Sequence, residues 1–167
     1  MPYQKFSEYL LENANLRASA VFKPASILPI DLPITTPFTF PIEGEFVYLC
    51  LDKSGWWNPL GGHVEHGESW QDAVKREALE EAGVEIDNIT LKGYVLIRQL
   101  TNSDKYPYES VLPITTSSVK KYFDNWEKLE THDRSKFTFA EALEKFKLRR
   151  DNNQMFEIFD YIVNNTI

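Results

Sequence analysis

Short apolar stretches alternate along the chain with stretches whose apolar residues recur every three or four positions, which predicts a mixture of strands and helices. The continuous apolar run 46–51 has the length and composition of a buried strand. Further strands are expected at 90–100, 110–114 and 137–139. Because no G-x-G-x-x-G follows a strand, the order does not match a Rossmann fold. We therefore expect a different kind of α/β domain.

The first quarter of the chain carries two patterns. Residues 4–18 place aromatic and aliphatic side chains at approximately helical spacing, which predicts an N-terminal helix. Residues 24–41 contain five prolines and predict an extended connector with at most edge strands. Because neither segment is long enough to form a core of its own, we assign the helix and connector of 1–41 to the same single domain as 42–167.

The C-terminal third predicts two helices. Capping-box signals begin at Thr138 and Asp151, each with a Glu or Gln three residues later. They place helices at 139–148 and 152–164. In the second helix the apolar side chains recur at helical spacing, so we expect that helix to pack against the core.

A further helix is predicted at the centre of the chain, after a glycine-containing loop. Ser69 and Asp72 form a capping box, so the helix is expected to begin near Trp70. Gly83 follows the last helical residue, where a left-handed conformation costs glycine least. The two signals bound a short helix of about three turns.

The second half of this helix carries an acidic face. Glu77, Glu80 and Glu81 lie at positions i, i+3 and i+4, so their side chains share one side of the helix. The acidic face continues an apolar stripe that is expected to face the protein, and like charges at this spacing repel one another. A compensating cation is therefore expected. Arg76 is one candidate for this cation. A hard divalent ion such as Mg²⁺, which prefers oxygen ligands, is the other.

The stretch 62–84 resembles the Nudix box, G-x5-E-x7-R-E-U-x-E-E-x-G-U, in which U is a bulky apolar residue. The matching residues are Gly62, Glu68, Arg76, Glu77, Glu80, Glu81, Gly83 and Val84. Ala78 is smaller than the aliphatic residue that the box usually has there, and Leu60 replaces a common proline. The chain is thus similar to the MutT-like Nudix hydrolases. The resemblance implies an α/β/α sandwich with a mixed sheet.

The same resemblance implies metal-dependent hydrolysis of a phosphoanhydride bond in a nucleoside diphosphate that is linked to another moiety. It implies Mg²⁺ as the cofactor, with Mn²⁺ as an alternative. Glu77 is implied as either a metal ligand or the base, and Arg76 orients it through an ion pair. The implied metal ligands are Glu68, Glu77, Glu80, Glu81 and the carbonyl oxygen of Gly61.

The base and the substrate contacts are less tightly defined. Family members place the base in the box or on a later loop, so Glu109 competes with Glu77 for that role. Either Trp56 or Trp57 can stack on a nucleobase or serve only in packing. The candidate substrate-binding residues are Gly62, His63, Trp57 and Glu109.

Two histidines, His63 and His66, raise the alternative of a zinc site. The residues around them are carboxylates, which favour magnesium or manganese. We therefore interpret both histidines as loop residues that can touch phosphate.

The composition narrows the partners of the protein. A formal net charge of −7 without a basic stripe argues against a nucleic-acid polymer. It does not argue against the small nucleotide derivative that the resemblance implies, because a bound metal can offset the charge of such a ligand. The single cysteine, Cys50, lies in an apolar run and is expected to be a reduced, buried thiol. No apolar stretch is long enough to span a membrane, so we expect a cytoplasmic protein. The N-terminal segment can support a homodimer.

Two competing functions share the same fold. One is a sensor that binds a nucleotide derivative without cleaving it, although every carboxylate of the box is present here. The other is an isomerase of prenyl diphosphates, for which the buried Cys50 is a poor catalytic candidate. The sequence favours the hydrolase and leaves its particular substrate undefined.

Overall fold

The computed structural model describes residues 5–128, 131–149 and 152–166. In these ranges the chain forms nine strands and three helices. In chain order they are β1 (Glu8–Asn13), β2 (Leu16–Pro24), β3 (Phe38–Glu43), β4 (Phe46–Leu51), β5 (Trp57–Asn58), β6 (Leu60–Gly61), α1 (Trp70–Ala82), β7 (Val84–Gln99), β8 (Glu109–Tyr122), β9 (Asp133–Thr138), α2 (Phe139–Lys147) and α3 (Gln154–Thr166).

The strands form one mixed sheet in the order β1-β2-β7-β8-β3-β4-β5, with β6 paired to β3 and β9 paired to β4. The β3–β8 pair is parallel, and the other pairs of named strands are antiparallel. None of the described helices is long and apolar enough to cross a membrane.

Helices cover both faces of the sheet. On β4 the side chains alternate, so that Val47 and Leu49 join the core beneath α2 and α3, while Tyr48 and Cys50 join the core beneath α1. Phe159 of α3 is fully buried in the larger core. The result is an α/β/α sandwich with a mixed sheet, which confirms the predicted fold class.

The prediction of an N-terminal helix is wrong, because residues 8–24 form the hairpin β1–β2. Exposed and half-buried residues alternate over most of β1, and Ala18, Ala20 and Phe22 point into the core from β2. This period of two continues beyond the window 4–18 in which a helical stripe was inferred. The Asn13 side-chain oxygen accepts hydrogen bonds from the backbone amides of Asn15 and Leu16, and these bonds stabilise the turn between the two strands.

The proline-rich segment also contains more structure than expected. Its last residues begin β3, which lies inside the sheet between β8 and β4. Pro41 is tolerated there because β3 changes partner on that side: Thr39 pairs with β6, and Ile42 pairs with β4. The missing N–H of Pro41 falls between the two paired stretches.

Several strands are longer than their apolar runs. β7 begins at Val84, six residues before the strand predicted at 90–100, and it contains a bulge at which Asn88 adopts a positive φ of 49°. β8 continues past Ile114 through polar residues. There the Thr115 hydroxyl donates to the Phe38 carbonyl at 2.8 Å, so a buried polar group is satisfied within the sheet.

Candidate active site

The helix α1 begins and ends where its capping signals predict. The Ser69 hydroxyl accepts a hydrogen bond from the Asp72 amide at 3.1 Å, which caps the first turn. Gly83 adopts a φ of 60° and ends the helix in the left-handed conformation. The two capping residues therefore set the ends of the helix that carries Glu77, Glu80 and Glu81. Loop 62–69 leads into this helix.

The Arg76 guanidinium gathers three carboxylates of the box. Its Nε lies 2.9 Å from Glu68, and its Nη1 lies 2.9 Å from Glu77 and 3.1 Å from Glu80. Its Nη2 also donates to the His63 carbonyl at 3.0 Å. One side chain therefore ties the loop to the helix and offsets the repulsion between the carboxylates.

The ion pair between Arg76 and Glu68 shifts the pKa values of both groups. The hydrogen bond from Arg76 holds the pKa of the Glu68 carboxyl below its ordinary value. The hydrogen bond to Glu68 in turn raises the pKa of Arg76. Both groups therefore remain charged at neutral pH.

Glu77 lies between Arg76 and the glycine loop. Its side chain is 8% exposed. A Cβ atom added to Gly62 would come within 2.2 Å of Glu77 Oε1, so only glycine allows the backbone to approach this carboxylate so closely. Gly62 thus serves the site by leaving room for Glu77.

Glu81 points away from this ion-pair cluster toward the start of the loop. Its Oε2 accepts a hydrogen bond from the Gly61 amide at 2.9 Å and lies 3.8 Å from Cys50 Sγ. Gly61 therefore holds Glu81 through its amide. The ligand role expected for the Gly61 carbonyl stays a prediction.

The donor chemistry fits a hard divalent cation, because four carboxylates of the box lie on or beside α1. Within the described ranges, however, no group of three or more His, Cys, Asp or Glu side chains is arranged to hold a metal ion. Three of the carboxylates contact Arg76 instead. Glu80 is the most exposed of the three, at 42%, and is the one most able to turn toward a metal.

Two predicted site residues lie apart from this cluster. The Trp57 ring packs edge-on against Phe137 with their centroids 4.8 Å apart, so it contributes to the core. Glu109 begins β8 and pairs with Arg98 of β7, with Glu109 Oε1 3.3 Å from Arg98 Nε. In the described part of the chain its carboxylate pairs with this arginine rather than with the box.

Three side chains that the sequence did not single out hold the far end of α1. Trp126 Nε1, Thr131 Oγ1 and Arg134 Nη1 donate to the carbonyls of the last three helical residues, at 3.0, 2.7 and 2.6 Å respectively. A helix leaves its last carbonyls without intrahelical partners, so such donors are needed. The partners come from about 50 residues downstream, and no local signal marks them. Only the general need for C-terminal partners could have indicated them.

Replacing Arg134 with methionine is expected to lower the free energy of unfolding by about 2 kcal/mol, since charge-assisted hydrogen bonds to Ala82 and Phe123 are lost. The measurement is urea denaturation followed by circular dichroism. Lys136→Met, which removes an exposed cation from the same strand, is the control. Equal loss in both variants would show that Arg134 contributes only its charge.

Cys50 reports on the packing around Glu81, because its thiol lies 3.8 Å from that carboxylate. Burial raises the pKa of this thiol, and the Glu81 carboxylate raises it further. We expect a thiol reagent at pH 8 to label the native protein at least about a hundredfold more slowly than the urea-unfolded protein. Comparable labelling rates would mean that the contact between Cys50 and Glu81 opens readily.

Comparison with known proteins identifies the class to which this fold and site belong. The model of the NUDIX domain family matches residues 42–159. The chain therefore belongs to the NUDIX domain family.

Two relatives illustrate the likeness in sequence. The chain is 43% identical over 58 residues to an oxidized purine nucleoside triphosphate hydrolase of Mus musculus, covering 32% of this chain and 37% of that protein. It is 51% identical over 51 residues to the uncharacterized Nudix hydrolase YvcI of Bacillus subtilis, covering 30% of this chain and 32% of that protein. The match thus spans only about a third of the length of these relatives.

Solved structures agree with the fold. A NUDIX hydrolase from Nitrosomonas europaea superposes with a TM-score of 0.61 at 19% identity, covering 80% of this chain and 90% of that one. The pyrophosphohydrolase BsRppH of Bacillus subtilis gives a TM-score of 0.59 at 18% identity, with 77% of each chain covered. At these identities the likeness shows the architecture.

Proposed function

We propose that this protein is a metal-dependent hydrolase that cleaves a phosphoanhydride bond in a nucleoside diphosphate linked to another moiety. The observation that carries the proposal is the ion-pair cluster in which Arg76 holds Glu68, Glu77 and Glu80 beside the glycine loop. Membership of the NUDIX domain family supports it. The nucleoside triphosphate hydrolase from mouse supports a nucleotide as the substrate.

In the proposed reaction water attacks a phosphorus atom, and the bond from that phosphorus to the bridging oxygen breaks. The oxygen leaves with the second product, and a base takes the proton that the water loses. Mg²⁺ or Mn²⁺ would neutralise charge on the phosphate oxygens and lower the pKa of a bound water. Glu68, Glu77, Glu80 and Glu81 are the residues that would hold the metal.

The residues of the chain have separate parts in this proposal. Arg76 orients Glu77 through the ion pair between Nη1 and Oε1. Gly62 leaves space for the Glu77 carboxylate, and the Gly61 amide fixes Glu81. Glu77 is the leading candidate for the base because it is buried at the centre of the cluster, and Glu109 is its rival.

The test is a panel of nucleoside diphosphate derivatives and nucleoside triphosphates incubated with the protein and Mg²⁺. Products are separated by chromatography, and a parallel series contains a chelator. We expect cleavage of at least one compound that stops when the metal is removed. A ligand that binds tightly and stays intact through a long incubation with Mg²⁺ would instead indicate the non-catalytic sensor.

A further inference from the structure

A second feature of the molecule is a cavity of about 210 Å³ on the face of the sheet that α2 and α3 cover. Its lining includes Phe38, Trp56, Trp57, Asn58, Lys145 and Arg149. Asn58 and Pro59 also line the cavity, and they immediately precede β6, the strand that leads into the box. Three residues, or about 10 Å of extended chain, separate Asn58 from Gly61, whose amide holds Glu81. A nucleotide can span that distance.

The cavity contains cationic and aromatic groups together. Lys145 and Arg149 line it, and no aspartate or glutamate is among the described lining residues, although the chain carries a net charge of −7. The Arg149 guanidinium carbon lies 5.8 Å from the centre of the Trp56 ring. Its Nε atom is buried and has no hydrogen-bond partner among the described residues. A buried donor of this kind is satisfied when a ligand supplies an acceptor.

Size and polarity restrict what that ligand can be. A cavity of about 210 Å³ is smaller than sites for drug-sized ligands, which are about 300–1,000 Å³, and it therefore suits one ring system. Its predominantly apolar and aromatic lining makes the burial of a phosphate group unfavourable. A planar heterocycle can instead stack against Trp56 and present an oxygen to Arg149.

We propose that this cavity binds the nucleobase of the substrate and that Arg149 selects a base with a carbonyl oxygen over one with an amino group at the same place. The proposal rests on the function proposed above, because it names the substrate class of the same enzyme. A carbonyl oxygen accepts from Arg149 Nε. An amino group at that position places one donor against another and leaves the buried Nε unsatisfied.

The first experiment compares kcat/KM for matched guanosine and adenosine derivatives and for matched uridine and cytidine derivatives. We expect the parent protein to prefer the carbonyl-bearing base in each pair by about tenfold or more. Arg149→Met should remove most of this preference by lowering the values for guanosine and uridine compounds. Lys147→Met is the matched control, since Lys147 is exposed, pairs with Glu144 on α2 and does not line the cavity.

A second experiment measures base selection without turnover. Nucleoside monophosphates are titrated into chelator-treated protein, and binding is followed by quenching of tryptophan fluorescence. We expect tighter binding of the guanosine compound in the parent, weaker quenching in Trp56→Leu and no base preference in Arg149→Met. Melting curves establish that each variant is folded, and Arg149→Lys provides a variant that retains the charge.

The two experiments separate this inference from the proposed hydrolysis. Selective binding without cleavage of any compound would retain the cavity as a nucleobase site and remove the hydrolase assignment. Cleavage without base preference in the parent would overturn the inference alone. An unchanged preference in a folded Arg149→Met variant, or a parent preference for amino-bearing bases, would also overturn it.

Discussion

Glutamine in place of Glu77 is expected to lower turnover by about a hundredfold or more, while ligand affinity stays within several-fold. Glu77 is buried, bound to Arg76 Nη1 at 2.9 Å and pressed against Gly62. Glutamine keeps the volume of the side chain and removes both its charge and its basicity. The fold should therefore persist while the step that needs a base or a metal ligand slows. Turnover under saturating substrate and calorimetric affinity are the two measurements.

Two variants make this result specific. Glu109→Gln tests the rival base, which pairs with Arg98 outside the ion-pair cluster. Glu144→Gln removes an exposed carboxylate from α2 and controls for the loss of charge. A large decrease in turnover for Glu109→Gln, with near-normal turnover for Glu77→Gln, would transfer the role of base to Glu109. Equal decreases in all three variants would point to a general effect of charge.

The parts of the fold that the sequence predicted are those with strong local signals. α1 runs between a serine cap and a left-handed glycine, and both signals act within one turn of the helix. β4 coincides with an uninterrupted apolar run, and the α2 capping box at Thr138 forms as expected. These interactions depend on residues within a few positions of one another, so one sequence is enough to find them.

The errors occurred where distant partners decide the structure. Residues 4–18 show an approximate helical stripe, yet β1 and β2 form there because β2 pairs with β7 over most of its length. Pro41 fits inside the sheet because β6 and β4 share one side of β3. Tertiary pairing of this kind overrides local propensity and is invisible to periodicity.

In the site, too, local geometry was predictable and distant contacts were not. The spacing of Glu77, Glu80 and Glu81 correctly placed these residues together in the second half of α1, because helical geometry alone determines that arrangement. It did not show that Glu81 turns to Gly61 and Cys50 while the other two turn to Arg76. That choice depends on the loop and on β4, which lie on one side of the helix. The donors from Trp126, Thr131 and Arg134 likewise depend on a connection far along the chain.

The ion-pair cluster also predicts how stability and metal binding are linked. The Arg76 guanidinium pairs with three carboxylates, of which Glu68 and Glu77 are 15% and 8% exposed. Removing one partner of a largely buried ion pair costs several kcal/mol because the remaining charges lose their compensation. A divalent cation can supply that compensation in place of the guanidinium. We therefore expect Arg76 and a divalent cation to compete for the same carboxylates.

Arg76→Met is accordingly expected to lower the free energy of unfolding of the metal-free protein by about 3 kcal/mol. Magnesium should then stabilise the variant more than the parent at the same concentration, since a nearby positive charge is gone; a site filled at a hundredfold excess over its dissociation constant contributes about 2.7 kcal/mol. Thermal melts with chelator and with Mg²⁺ measure both effects, and Lys75→Met, exposed on the same helix, is the control.

An Arg76→Met variant that is as stable as the parent without metal, or that Mg²⁺ stabilises less than the parent, would contradict the competition. Turnover of the variant should stay low even when Mg²⁺ restores its stability, because the metal replaces the charge of Arg76 and not its hydrogen bond to Glu77.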